Sequence, residues 1–532
     1  MYIKRNQATT VAEVVELNTG IKAEEFIKPC KLPFIKNIKE AVQMIKEAKE
    51  NNIPIHIIGD YDCDGVFATA ILYNGLKQFG LTASTRLPRR FSEGYGLSTK
   101  IIDEINDGLV ITVDNGIATH EAIKKAKEKG LKVIVTDHHL GVTDDNGNII
   151  LPDADLIVDA HVDNESEFKD YCGAMIAYRL VSELLGKDDR DLLTMASIAT
   201  VCDVMPLVGP NRDVVRAGLM TINKGAGGPG LRTLLSKLRL ENIDEDNYGY
   251  GIGPCINASG RLYDNGAEKA LNLFKATGNN PTIPFMADTL VKNNEKRKET
   301  VKKDMIIAEK KVSKRPIVMY DKEFGEGIIG IIAGNLCEKY ACPTIVFTDS
   351  SKKGILKGSG RSIEGIHLKS VLDSINDLIV RYGGHAGAAG LSIKEKDLDK
   401  FTKAFEEAVG KLPELTDDVF YDLELDVNNA SNELKELTKY APFGEANPKP
   451  IYHGIFEATE NYRVIGDGTH FILKCGNITL LGFGLKEKYE SLKKDNEYPR
   501  KLEAIGYLTK SIFNGKEQIK FQLIDFKEYN DK

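Results

Sequence analysis

No apolar run in this chain of 532 residues approaches the ~18 residues needed to cross a bilayer, and the opening MYIKRNQATT lacks the apolar core of a secretory leader. The expectation is a chain that neither spans a membrane nor is exported. The cysteines (Cys30, Cys63, Cys172, Cys202, Cys255, Cys337, Cys342 and Cys475) are scattered, with no CxxC pair among them. That distribution reads as reduced thiols in a cytoplasmic protein. There is no basic excess either: 71 Lys and Arg face 78 Asp and Glu, for a net charge of −7. This argues against a broad non-specific coat for nucleic acid and leaves room for a local basic groove. Internal repeats and low-complexity tracts are absent. The length exceeds what one core organises, so two to four domains are expected.

What the chain does have is concentrated in Ile55 to Ala70, IHIIGDYDCDGVFATA. A short apolar run stops at Gly59, Asp60, Asp62 and Asp64 follow at alternate positions, and Val66 to Leu76 reads as helix. The pattern predicts a buried strand, a tight loop and a helix, with the carboxylates where ligands of such sheets sit, at the carboxyl end of the strand. Three acids crowded there repel one another unless a cation neutralises them, and hard oxygen ligands suit Mn²⁺ or Mg²⁺. Leu109 to Val113 ends in Asp114-Asn115-Gly116, and Leu131 to Val135 ends in Thr136-Asp137-His138-His139. Ala196 to Val201, more helix-like, delivers Asp203. A single Asp after a strand is ordinarily a cap or turn residue; the conjunction points to a two-metal site, with ions roughly 3.5–4 Å apart.

The pattern along the chain predicts two α/β domains joined by a long helix, followed by a small β-barrel. Residues 1–34 read as a peripheral arm with one short helix, and 35–280 as an α/β domain with a mostly parallel sheet. Residues 281–315 read as a connector, with one helix over Phe285 to Ser313. A second α/β domain is expected over 316–412, and a linker with an OB-like barrel over 413–532. In Arg89 to Gly96, Arg90 and Tyr95 suit phosphate contact and base stacking. Pro254 to Leu262 (PCINASGRL) reads as a tight glycine-bearing loop presenting Asn257 and Arg261, to hold a phosphate or to buttress the cleft. Ser359, Arg361 and Ser362 lie in GSGRS, read as a loop that wraps a phosphate. Gly384 and His385 lie in GGHAGAAG, where missing side chains allow close approach. Lys474, Lys486, Lys488, Lys510 and Lys520 are candidates to line a groove on the barrel, with an ordinary solvated surface as the competing reading.

The segments GDYDCDG (59–65), TVDNGI (112–117), VTDHHL (135–140), ATVCDVMPL (199–207), INASGRL (256–262), LKGSGRS (356–362) and GGHAGAAGLSI (383–393) together resemble the DHH phosphoesterase superfamily. Within it they are most similar to the RecJ family of single-strand-specific exonucleases, in that family's order. One stretch departs: where such chains usually carry Asn-Pro, this one reads VDAHVDNES. The resemblance implies a DHH catalytic domain, a DHHA1 domain that binds the nucleic acid strand, and hydrolysis of single-stranded DNA from its 5′ end. It also implies ligand roles: Asp114 bridging two ions, Asp62 with Asp60 at the first, and Asp64, His138 and Asp203 at the second. His139 would touch the scissile phosphate, with Asp137 hydrogen-bonded to a histidine. Arg361, Ser359 and Ser362 would form the 5′-phosphate pocket, and Arg90, Arg261 and His385 would follow the backbone. Single-stranded DNA is the expected partner of a monomer, with a single-strand-binding protein and a helicase as further candidates. The alternatives are a related phosphodiesterase of short oligonucleotides or cyclic dinucleotides, a catalytically inactive replication scaffold and, more remotely, a type II pyrophosphatase.

Overall fold

The computed structural model describes residues 1–144, 146–412, 418–494, 497–513 and 516–529. They fall into two compact units. One combines the described residues of Met1–Leu32, Val204–Leu219 and Thr416–Lys532; the other holds Pro33–Asp203 and Met220–Leu415.

The larger unit is built on two sheets. In the first, five strands run in the order Ala83–Arg86, Ile55–Ile58, Leu109–Val113, Lys132–Thr136, Leu156–Val158, every pair parallel. All five residues of the central Leu109–Val113 strand are buried, as expected of a parallel strand covered on both faces. The register is continuous to the carboxyl edge. Thr112 pairs with Val135 and Thr136 with Val158; then the Asp114 amide donates to the Thr136 carbonyl and the Asp137 amide to the Val158 carbonyl. The acidic residues that follow each strand are therefore lined up along one edge by the ladder itself. Of the VDAHVDNES stretch only Val158 lies in this sheet, in its last strand, and residues 159–166 follow as turns and irregular chain. The Cys63–Gln78 helix, entered from Asp62, is buried along most of its length. A Cβ at Gly75 would come within 2.4 Å of Val181, so glycine lets the Gly173–Leu185 helix pack closely there.

The connector helix spans Ile283–Lys311, 29 residues, about 43 Å at ~1.5 Å per residue. Beyond it lies the second sheet, in the order Arg381–Gly384, Ala388–Lys394, Ile355–Arg361, Thr344–Asp349, Ile317–Tyr320. Only the last pair is parallel.

Two local expectations are corrected here. PCINASGRL is a helix, Gly253–Leu262, preceded by a π-helical turn over Asn247–Ile252. Pro254 in the first turn needs no amide partner, and Cys255, Ile256 and Ala258 form a buried face. GSGRS is the end of the Ile355–Arg361 strand. Its amides belong to the ladder, so they do not wrap an anion; only the alternate side chains face outward. In both segments glycine reflects close packing rather than a break. A Cβ at Gly358 would meet Phe347 at 2.5 Å, and at Gly260 the Tyr61 carbonyl at 3.3 Å.

In the smaller unit, a seven-stranded sheet runs in the order Leu423–Glu424, Tyr452–Glu457, Lys501–Phe513, Lys516–Glu528, Ile478–Gly482, His470–Cys475, Arg463–Ile465. It encloses Phe456, Phe471, Phe521 and Phe526. The N-terminal segment differs from a peripheral arm with one helix. Tyr2–Lys4 pairs in parallel with Val419–Tyr421, and there are two helices, Val11–Thr19 and Ala23–Phe26. Val11, Val14 and Val15 are buried in the same core. That partnership spans more than 400 residues of sequence, beyond the reach of any local pattern. The boundary expected at 412/413 adjoins residues 413–417, which lie outside the described residues. Four of the five lysines expected to line a groove are paired on the surface: Lys474 with Glu460 at 3.0 Å, Lys486 with Glu490 at 3.3 Å, Lys510 with Glu517 at 3.8 Å, and Lys488 with Asp525. This favours the solvated-surface reading. Among the described residues no helix is long and apolar enough to cross a membrane.

Candidate metal centre and arginine-lined cleft

Three overlapping groups gather at the carboxyl edge of the parallel sheet: Asp60, Asp62 and Asp114; Asp64, His138 and Asp203; and Asp114, His138 and His139. In each, one ligand atom per residue lies within 4.8 Å of the others. His138 Nε2 links the second and third, 3.5 Å from Asp203 Oδ2 and 3.7 Å from Asp64 Oδ2 in the one and 3.1 Å from Asp114 Oδ1 in the other.

Each ligand is aimed by local structure. Asp62 caps the Cys63–Gln78 helix, accepting from the Gly65 amide at 3.0 Å. Asp64 accepts from the Gly173 and Ala174 amides at 2.7 and 2.8 Å, at the start of a helix where an anion is favoured. Asp114 holds a left-handed φ of 61°, an uncommon state for a residue with a Cβ and one that clusters at functional sites. Its carbonyl accepts from the Tyr95 hydroxyl at 2.9 Å. Asn115, buried, donates to the Ile58 and Val113 carbonyls at 3.1 and 2.9 Å and accepts from the Leu97 amide at 3.0 Å. It thereby ties the two strands that lead to Asp60 and Asp114 to the Tyr95 loop.

Burial first, and then mutual repulsion, drives the carboxyls upward. Asp60 is raised by burial and Asp62; Asp62 by burial and Asp64; Asp114 by burial, Asp64 and Asp62; Asp203 by burial, Asp64 and Asp62. Asp203 Oδ2 is buried without a hydrogen-bond partner. Crowded carboxylates with an orphaned oxygen fit a site for divalent cations of the hard, oxygen-preferring kind. Burial and neighbouring His139 bring His138 down to about 4, leaving it neutral at pH 7 as a ligand must be. His139 moves the other way. Burial opposes its charge, but Nδ1 donates to Asp137 Oδ1 at 2.7 Å and carries it up to about 9. Asp137 also accepts from the His138 and Ile117 amides, so it holds the two histidines and the edge loop in place.

Beside these groups lies a cationic cleft. The Arg90 guanidinium stacks 4.6 Å over the Tyr61 ring. Its loop is fixed by Asp264, which accepts from the Phe91 and Ser92 amides and the Ser92 hydroxyl. Arg261 donates to the Gly327 carbonyl at 3.3 Å; burial, Arg90, Arg297 and Arg361 bring it down to about 10. Arg361 donates to the Gly360 carbonyl at 2.8 Å and to Ser359 Oγ at 3.4 Å. A cavity of about 220 Å³ is lined by Asn257, Arg261, Arg297, Cys202 and Ile331 among others. Asn257 Oδ1 and Arg297 Nε, both buried, have no partner.

The sequence candidates thus separate. Asp60, Asp62, Asp64, Asp114, His138, His139 and Asp203 come together, with Asp137 behind them, and Arg90, Asn257, Arg261, Ser359 and Arg361 border the cleft. Tyr95 is committed to the Asp114 carbonyl, and its hydroxyl lies 3.1 Å from His139 Nδ1. The Ser362 hydroxyl donates to the Ile366 carbonyl at 2.8 Å within its own turn. Gly384 serves the backbone and His385 sits exposed at the tip of a hairpin. Sequence reasoning missed Asn115, Asp264, Arg297 and Gly173. A Cβ on Gly173 would lie 2.5 Å from that of Asp114. Only for Asn115, inside the DNG motif, was a sequence signal present.

Family models match in three places: the DHH family, N-terminal domain, over residues 54–202; the DHHA1 domain over 313–411; and the RecJ OB domain over 421–525. The single-stranded-DNA-specific exonuclease RecJ of Salmonella typhimurium is 32% identical over 470 residues, 81% of this chain and 80% of the relative. Its Bacillus subtilis counterpart is 30% identical over 548 residues, 99% of this chain and 67% of the relative. Among solved structures, RecJ in complex with Mn²⁺ from Thermus thermophilus superposes with a TM-score of 0.80 at 27% identity, over 98% of this chain and 76% of that one.

The raised and lowered groups predict how metal-free protein responds to pH. Asp159, raised to about 8 by burial and Asp137, and His139, raised to about 9, bind protons in the folded chain that the unfolded chain has released. Their contribution is lost as pH rises through those values. His138, lowered to about 4, opposes the trend only below its unfolded value of about 6.5. The unfolding midpoint of chelator-treated protein should therefore fall between about pH 6.5 and 9. Scanning calorimetry across that window checks the sign, and a midpoint that climbs over it contradicts the assignment.

Proposed function

The chain belongs to the RecJ family of single-stranded-DNA-specific exonucleases, and on that premise we propose that it hydrolyses single-stranded DNA from the 5′ end with two Mn²⁺ or Mg²⁺ ions, releasing 5′-mononucleotides. The observation that carries the reading is the meeting of crowded carboxylates and His138 with a cleft of arginines on one face of the unit. Asp60, Asp62 and Asp114 would hold one ion, and Asp64, His138 and Asp203 the other, with Asp114 shared. When bound, the ions supply Lewis acidity and neutralise charge developing at phosphorus. His139, charged through its bond to Asp137, stands ready to stabilise a phosphate oxygen. Arg361 with Ser359 grips the terminal 5′-phosphate. Arg90 and Arg261 hold the adjoining backbone, with Asn257 turned to the same cavity.

The substrate's several phosphates answer a cluster of guanidiniums that no carboxylate pairs among the described residues. The chain works as a monomer in DNA repair and recombination, on strands delivered by a helicase and coated by single-strand-binding protein. A phosphodiesterase of dinucleotides would have little use for the RecJ OB module over 421–525. An inactive scaffold would be expected to have lost ligands, whereas every ligand position here holds a metal-competent side chain.

Strands labelled at the 5′ or the 3′ end, digested with Mn²⁺ or with chelator, test the reading. The 5′ label should appear at once as mononucleotide, and only with metal; first release of the 3′ label, or cleavage in chelator, refutes it. Asp114→Ala should lower the rate by at least about three orders of magnitude while DNA binding stays near normal; full activity at saturating Mn²⁺ would rule out the shared-ligand role. Arg361→Ala should raise KM and shorten processive runs more than it slows single-turnover cleavage, and a change confined to the chemical rate would remove Arg361 from the phosphate pocket.

A further inference from the structure

Two buried carboxyls stand side by side behind the histidines, one step past the register of the last two parallel strands. Thr136 pairs with Val158, and the Asp137 amide donates to the Val158 carbonyl at 3.1 Å. Two residues earlier on each strand, Ile157 packs on the apolar cluster that holds Val135. By alternation Asp137 and Asp159 project to that same face, from strands about 4.8 Å apart. They are 1% and 2% exposed.

Two carboxyls so placed repel when both are ionised, and the donors around them decide which one is. Asp137 Oδ1 accepts from the His138 amide at 2.8 Å, the His139 amide at 3.3 Å and His139 Nδ1 at 2.7 Å, and Oδ2 accepts from the Ile117 amide at 2.9 Å. Burial opposes its charge, yet His139, His138 and the Ile117 amide hold it below the usual carboxylate range. Asp159 has one donor, the His161 amide, 2.9 Å from Oδ1. Its Oδ2 is buried with no hydrogen-bond partner among the described residues. His161 Nδ1 stands 4.0 Å from Oδ1, too far for a hydrogen bond, and His161 Nε2 faces Asp170 at 3.7 Å. Of the other charges nearby, Asp163 adds to the cost of ionising Asp159 and His139 reduces it. An orphaned oxygen on one carboxyl and a lightly used oxygen on the other become complementary once a single proton lies between them. Asp159 is the second residue of VDAHVDNES, the stretch that departs from Asn-Pro. A side-chain amide would donate there at any pH; a carboxyl donates only while protonated.

We propose that Asp159 retains its proton and donates it from Oδ2 to Asp137 Oδ2, as a positioning residue that acts through Asp137 on His139. The bond keeps the Asp137 carboxylate turned so that Oδ1 meets His139 Nδ1. An ionised Asp159 would instead repel Asp137 and compete for the His139 charge. The role of His139 rests on the proposed function; the bond behind it is what is added.

The test compares Asp159→Asn, which keeps a donor of the same size, with Asp159→Leu, which keeps an uncharged buried side chain without one. Asp159→Leu should lose about tenfold or more in kcat with KM within about twofold, whereas Asp159→Asn should restore kcat to within about threefold of wild type. Infrared spectra of Mn²⁺-loaded protein, wild type minus Asp159→Asn, should show the C=O stretch of one protonated carboxylic acid at about pH 6.5, below the Asp159 value of about 8. In chelator, Asp159→Asn should lose part of the fall in unfolding midpoint between about pH 6.5 and 9, because an amide releases no proton. An Asp159→Asn enzyme as slow as Asp159→Leu would mean that the charged carboxylate is what matters, and overturns the proposal. So does an Asp159→Leu enzyme with undiminished kcat, or a difference spectrum without the acid band. If Asp159→Leu fails to fold, the rate and spectrum of Asp159→Asn decide alone. Wild-type protein that leaves single strands uncut in Mn²⁺ would refute the proposed function, while the spectrum and the midpoint still report on the bond.

Discussion

Five aspartates gather in overlapping groups at the edge of a buried parallel sheet, Asp60 and Asp62 with Asp114, and Asp64 and Asp203 with His138, which also adjoins Asp114. Without a cation this concentration of like charge is unfavourable, as the upward displacement of Asp60, Asp62, Asp114 and Asp203 records. The rest of the larger unit can be understood as a frame that enforces that crowding. The ladder sets the edge; the start of the Gly173–Leu185 helix donates two amides to Asp64; Asn115 and Tyr95 lock the loop in which Asp114 takes its left-handed turn. Gly173 is bare because the chain must pass against Asp114.

A second concentration of charge, of opposite sign, stands beside the first. Arg90, Arg261, Arg297 and Arg361 come from the loop after the Ala83–Arg86 strand, the Gly253–Leu262 helix, the connector and the second sheet. Burial and mutual repulsion bring Arg261 down to about 10. Beyond what His139 and Arg90 lend the carboxylates, each cluster lacks a full counter-charge among the described residues: cations for the carboxylates, phosphates for the guanidiniums. A polynucleotide with divalent ions supplies both at once. His139, raised by Asp137, sits among the carboxylates and offers positive charge there.

Much of this was legible in the sequence because its signals are local. A short apolar run followed by Asp is readable wherever it occurs, so the strands before Asp60, Asp114 and Asp137 and the acidic and imidazole groups at their ends could be read directly. What escaped depends on partners far away in the chain. Gly173 is explained by Asp114, Arg297 by a cavity shared with Asn257 and Arg261, and Val14 by a core closed some 400 residues later. Glycine misled twice in the same way. Gly260 and Gly358 read as loop-formers, yet each sits within a regular element where a neighbour approaches closely. Glycine-rich segments record proximity as often as flexibility, and sequence alone does not say which.

The measurement that bears most directly on this account is anomalous diffraction from crystals grown with Mn²⁺, which locates the ions without reference to activity. The account predicts two peaks, one among Asp60, Asp62 and Asp114 and one among Asp64, His138 and Asp203, with Asp114 reaching both. A single peak elsewhere, or fully ordered carboxylates with no ion between them, would contradict it.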